Sequence, residues 1–77
     1  NPFNPSTRIS FTVPVDSRVK ISVFNAVGEL VKVLQDGIRE AGYHSVVFDA
    51  ASLPSGMYYY RLEAGDFVQS RKMLLIK

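Results

Sequence analysis

The chain has 77 residues, 47% hydrophobic and 21% charged, with a formal net charge of +2. That length allows one small domain burying only roughly 60–65% of its unfolded surface, and the composition is too apolar for a disordered tail. There is no cysteine and one histidine, His44, which excludes disulfides, thiolate metal sites, thiol nucleophiles and any site built on two histidines. The 9 basic and 7 acidic residues are interspersed, so no nucleic-acid footprint forms.

Strand patterning dominates from the start. Ile9, Phe11 and Val13 alternate with Arg8, Ser10 and Thr12, the period of two of a half-buried strand. Pro14 ends that run, because it has no N–H for a ladder. Val19, Ile21 and Val23 repeat the pattern. Asn25-Ala26-Val27-Gly28 reads as a turn, in which Asn25 bonds nearby backbone and Gly28 takes positive φ. The next strand runs through Leu30, Val31, Val33 and Leu34. Asp36-Gly37 and Ala41-Gly42 bracket the connection expected after it.

In the second half His44, Val46 and Phe48 alternate with Ser45, Val47 and Asp49. A connection from Asp49 to Gly56 carries Leu53 as an expected plug. Tyr58, Tyr60, Leu62 and Ala64 then alternate with Tyr59, Arg61 and Glu63. Ala64-Gly65-Asp66 turns the chain into a last strand from Phe67 to Ile76. No helical period persists. The fold class expected is all-β: an immunoglobulin-like antiparallel β-sandwich of about six or seven strands. A small barrel is the alternative. Residues 1–7 are expected to be a lead-in, with Phe3 capping the open end, and residues 8–77 the sandwich. The opening on Asn1 in a proline-rich stretch predicts a piece cut from a longer protein, with any signal peptide upstream.

The last strand is anomalous. With a two-residue loop at Gly65, the side chains of Phe67, Gln69, Arg71, Met73 and Leu75 share the face of Tyr58 and Tyr60. With a longer loop, Val68, Ser70, Lys72, Leu74 and Ile76 do. Either way, residues 73–76 are apolar on both faces, so one aliphatic pair lacks a place in the core. Arg71 and Lys72 flank them. The run is far short of the ~20 residues of a membrane helix.

Catalytic inventory is thin. His44 lies in a strand with core residues, where packing explains it. The acids are scattered over loops and solvent faces, leaving neither a carboxylate pair nor a calcium-loop spacing. Each glycine stands alone at a turn, so no phosphate loop exists. No cofactor is expected and the chain reads as a non-enzyme. Tyr58-Tyr59-Tyr60 invites a carbohydrate platform, but alternation splits the run between two faces.

Taken together, these pieces resemble the C-terminal sorting domain of the type IX (Por) secretion system, type A. The resemblance rests on Asn1-Pro2-Phe3-Asn4-Pro5-Ser6-Thr7, Val23-Phe24-Asn25-Ala26-Val27-Gly28, Ala41-Gly42-Tyr43-His44, Leu53-Pro54-Ser55-Gly56-Met57-Tyr58 and the ending Lys72-Met73-Leu74-Leu75-Ile76-Lys77. The Gly28 hairpin and the strand from Gly56 to Leu62 are also similar to the immunoglobulin-like domain of flagellar hook-capping proteins. The resemblance implies a sorting signal on a larger N-terminal cargo protein. It implies transit through the periplasm, passage of the outer membrane by a shuttle protein and translocon, and final residence at the cell surface or outside the cell. It also implies a sortase-like peptidase that removes the domain and anchors the cargo. The implied partner-binding residues are Arg71, Lys72, Met73, Leu74, Leu75, Ile76 and Lys77. Asn1, Pro2, Phe3, Asn4, Pro5, Gly28, Gly56, Met57 and Tyr58 are the motif residues. Two other readings compete: a structural module that self-associates through an open edge strand, and a carbohydrate-binding module using the tyrosines.

Overall fold

The computed structural model describes residues 2–3 and 5–76; Asn1, Asn4 and Lys77 lie outside the described residues. Seven strands follow in chain order: β1 (Pro2–Phe3), β2 (Ser6–Val13), β3 (Ser17–Asn25), β4 (Leu30–Arg39), β5 (Gly42–Asp49), β6 (Gly56–Ala64) and β7 (Phe67–Leu75). They form a five-stranded sheet in the order β1-β7-β6-β3-β4 and a two-stranded sheet, β2-β5. This is the expected sandwich. All pairings are antiparallel except the short β1–β7 contact, which is parallel. The side chain of Phe3, expected to cap the sandwich, is outside what is described.

The core lies between the sheets because the alternating residues of β2, β3 and β6 all turn inward. One cluster joins Ile9, Val23, Phe48, Ala50, Tyr58, Met73 and Leu75. A second joins Phe11, Val13, Val19, Ile21, Leu62 and Ala64. Val19, Ile21, Val23 and Phe48 have no exposed surface; each contributes roughly 1.5–3 kcal/mol of hydrophobic stabilisation. Leu53 packs against the first cluster as the expected plug, and Tyr60 and Val46 touch both. His44 is half-buried and stacked on Phe11, with ring centroids 5.6 Å apart.

Two turns form as the sequence predicts. Asn25 Oδ1 accepts from the N–H groups of Val27 (3.2 Å) and Glu29 (2.9 Å), and Gly28 sits at φ +87°. Ala64 pairs with Phe67, so the β6–β7 loop has two residues, Gly65 and Asp66.

Asp36-Gly37 is not a connection. β4 continues through it to Arg39. Gly37 has no positive φ and pairs with Val19, while Asp36 pairs with Lys20 and accepts a 2.7 Å hydrogen bond from Arg18. Extended backbone and a cross-strand ion pair therefore override the turn preference of the dipeptide. The reversal occurs instead around Glu40-Ala41, where the Ala41 N–H donates to Asp16 Oδ1 at 2.8 Å. Two register shifts between β3 and β4, at Ile21/Ser22 and Val23/Phe24, are β-bulges. They break strict alternation and let Val31 and Leu34, three residues apart, both pack against the core.

Candidate functional site

The two-residue loop sets the phase of β7. Tyr58 pairs with Met73 and Tyr60 with Arg71, so Phe67, Gln69, Arg71, Met73 and Leu75 face the small sheet. Met73 and Leu75 are 6% and 1% exposed and complete the first core cluster. Leu74 faces outward at 36% exposure, and Ile76, just past the strand, is 48% exposed. The surplus aliphatic pair is therefore Leu74 and Ile76.

The open edge strand that the self-association reading needs does not extend to this end. Pro2 pairs with Leu74 and Phe3 with Leu75, so β1 covers that stretch of the edge. The uncovered edge of β7 is its first part: on the side away from β6, no described strand pairs with residues 67–73. Side-chain burial, not strand addition, is what the apolar end offers a partner.

The rest of the outer face follows from register. Met57 lies opposite Leu74 and is 37% exposed. Lys72 pairs with Tyr59, Tyr59 with Phe24, and Phe24 with Leu30, a continuous row across four strands. Leu30 is 58% exposed; Phe24 and Tyr59 are half-buried. The Arg61 guanidinium lies 5.1 Å from the centre of the Phe24 ring, a cation–π distance. It also pairs with Glu63 at 3.3 Å. Ser22, its cross-strand neighbour, is 1% exposed although it faces outward. Phe24, Tyr59, Arg61 and Ser70 line a shallow hollow of about 310 Å³. Phe24 and Leu30 escaped the sequence reading; the signal was their position on either side of the Asn25 turn, one at the end of each hairpin arm.

The other described motif residues gather at the same end of the sandwich. Gly56 opens β6 at φ +153°, a conformation that disfavours side chains, and pairs with Leu75. The buried Tyr58 donates from its hydroxyl to the Pro54 carbonyl at 2.7 Å, fixing the loop that carries Leu53. The Pro5 carbonyl accepts from the Ala50 N–H at 2.9 Å, tying the start of the chain to the end of β5. Tyr58, Tyr59 and Tyr60 do not form one platform, since Tyr58 and Tyr60 point into the sandwich. Among the described residues no group of three or more His, Asp or Glu side chains could hold a metal ion, and no helix is long and apolar enough to cross a membrane.

This architecture is an immunoglobulin-like sandwich whose last strand fills the core with one side and shows aliphatic side chains with the other. Solved structures share the fold. An uncharacterised Bacillus anthracis str. Ames protein aligns with TM-score 0.71 at 11% identity, over 99% of this chain and 75% of its own. FlgD from P. aeruginosa, a flagellar hook-capping protein, aligns with TM-score 0.65 at 22% identity, over 87% of this chain and 55% of its own. Amylomaltase from Corynebacterium glutamicum gives 0.67 at 15% identity over 96% of this chain, which spans only 12% of the enzyme. No curated protein matches the chain. The family model described as the secretion system C-terminal sorting domain matches residues 1–77. The chain belongs to that family, the sorting domains of type IX (Por) secretion.

Proposed function

We propose that the outer face at the end of β7 is the surface by which the secretion machinery reads this sorting domain. The family makes the chain a C-terminal sorting signal, bound for the cell surface or beyond. The observation that carries the proposal is the split of the terminal aliphatics: Met73 and Leu75 buried, Leu74 and Ile76 exposed. Side chains that folding does not need are free for a receptor. Leu74 and Ile76 keep 36% and 48% of their surface exposed, so covering what remains contributes roughly 1–3 kcal/mol before association costs. The neighbouring Met57, Tyr59, Phe24 and Leu30 enlarge the contact. Lys72 beside them speeds encounter with an acidic partner.

In this reading, residues 1–7 lead in from an N-terminal cargo domain and residues 8–77 form the sorting domain. The folded domain crosses the periplasm and docks on an outer-membrane shuttle or translocon component. A sortase-like peptidase then acts before the lead-in, removing the domain or exchanging it for a surface anchor. The chain itself contributes no catalysis. To test this, the chain is fused behind a reporter that carries its own inner-membrane signal and expressed in a type IX-competent host. The reporter is expected at the surface or in the medium. Periplasmic retention of a folded, protease-resistant fusion overturns the reading.

A further inference from the structure

The small sheet has two strands against five in the large one, and does not cover all of its inner face. β2 pairs with β5 on one edge only, and the other edge of Ser6–Val13 looks across the inner face of β7. Two hollows lie along that edge, about 320 Å³ between Thr7–Ser10 and Arg71–Met73, and about 520 Å³ between Ser10–Thr12 and Phe67–Arg71. Both are lined by Ser10, Tyr60 and Arg71, so they form one groove running the length of β2.

Three features make this groove a strand-sized slot. The ladder of β2 is unbroken by bulge or proline from Ser6 to Val13, so alternate N–H and C=O groups stand in line along the open edge. β4, by contrast, carries two bulges. The floor also holds an exposed Phe67, 51% accessible although it points inward. Finally, Arg71 is a cation on that floor with no carboxylate partner among the described residues. With the Gln69 amide assigned so that its oxygen faces Arg71, that oxygen accepts from Nε (3.1 Å) and Nη2 (2.7 Å). That holds the guanidinium in place with donors left over.

We infer that this groove receives an extended, acidic strand from another protein, which pairs with the open edge of β2 and sets a carboxylate on Arg71. A second copy of this chain does not suit it. β2, β7 and β1 contain no acid, and the one acid of β4, Asp36, is held by Arg18. β5, the other edge strand of the small sheet, ends in Asp49, whose carboxylate accepts from the Ala51 N–H and has Ser45, not an apolar residue, four positions back. Nor is the lining acidic anywhere along its length. In the added strand, alternate side chains face the floor. Phe67 and Arg71 are four residues apart, so a carboxylate and an apolar side chain four positions apart match them. This surface is separate from the outer face of Leu74 and Ile76, and the inference holds whether or not that face is read by the secretion machinery.

The test uses the 77-residue chain and the peptide Thr-Glu-Thr-Val-Thr-Leu-Thr, with a Gln-for-Glu version as control, followed by NMR titration and amide exchange. The acidic peptide is expected to slow exchange of β2 amides on the open edge. Arg71→Gln is expected to weaken its binding about tenfold and to leave the melting temperature unchanged, since Arg71 is exposed. Loss of the carboxylate from the peptide is expected to do the same, and added salt to weaken only the matched pair. The inference is overturned if the acidic peptide leaves the β2 amides unperturbed at millimolar concentration. It is overturned equally if Arg71→Gln and the Gln peptide bind as well as the originals, or if β2 protection rises with protein concentration alone.

Discussion

Met73 and Leu74 are adjacent in the chain and face opposite sides of the same sheet: Met73 packs in the core opposite Tyr58, and Leu74 lies outside opposite Met57. One residue of register separates a core position from the face we propose is recognised. Substitutions on alternate positions of β7 should therefore separate stability from export.

Stability should follow the inner positions. Leu75 is 1% exposed, and Leu75→Ala is expected to cost about 2–4 kcal/mol through lost burial and the cavity left behind. Leu74→Thr should stay within about 1 kcal/mol, because the side chain is already partly hydrated and threonine suits a strand. Thermal melting of the two variants checks the ordering. Trimming residues 1–5 is expected to fall between them, as the described contacts it removes are the β1 pairing and the Pro5–Ala50 hydrogen bond.

The Tyr58 hydroxyl anchors the loop that plugs the sandwich end. Tyr58→Phe keeps the ring and removes only the 2.7 Å bond to the Pro54 carbonyl. A loss of about 1 kcal/mol is expected, which lowers the melting temperature by about 4–8 °C in a domain of this size. Faster amide exchange at Leu53, whose N–H donates to the Ala50 carbonyl, should accompany it.

The β3–β4 turn rests on one side chain. Asn25 accepts from the Val27 and Glu29 N–H groups and donates to Glu29 Oε1 at 2.9 Å. Asn25→Ala is expected to cost about 1–2 kcal/mol. Gly28→Ala, forced to hold φ +87°, should cost about 1 kcal/mol despite the open space around it. Denaturant midpoints measure both.

How much of this was legible depended on whether a pattern was local. Ile9-Phe11-Val13 and Val19-Ile21-Val23 alternate without interruption, and their inward faces follow from that alone. Asn25 and Gly28 carry their turn within four residues. Asp36-Gly37 misled because its turn preference is local, whereas the Arg18 and Val19 partners that hold it in a strand lie 18 residues away. Likewise, the bulges that bring Val31 and Leu34 inward depend on pairing with β3. The phase of β7 needed a loop length. The groove under Arg71 needed the number of strands in the small sheet. Both are properties of the assembled sandwich, invisible in any single segment.

The most direct measurement is surface delivery of a reporter fusion carrying Leu74→Thr with Ile76→Ser, in a host whose type IX system is intact. Its melting temperature is matched beforehand to that of the unaltered fusion. The account predicts a folded reporter that accumulates in the periplasm while the unaltered fusion reaches the surface. Normal delivery of the double variant would contradict it, since the outward aliphatics would then play no part in being recognised.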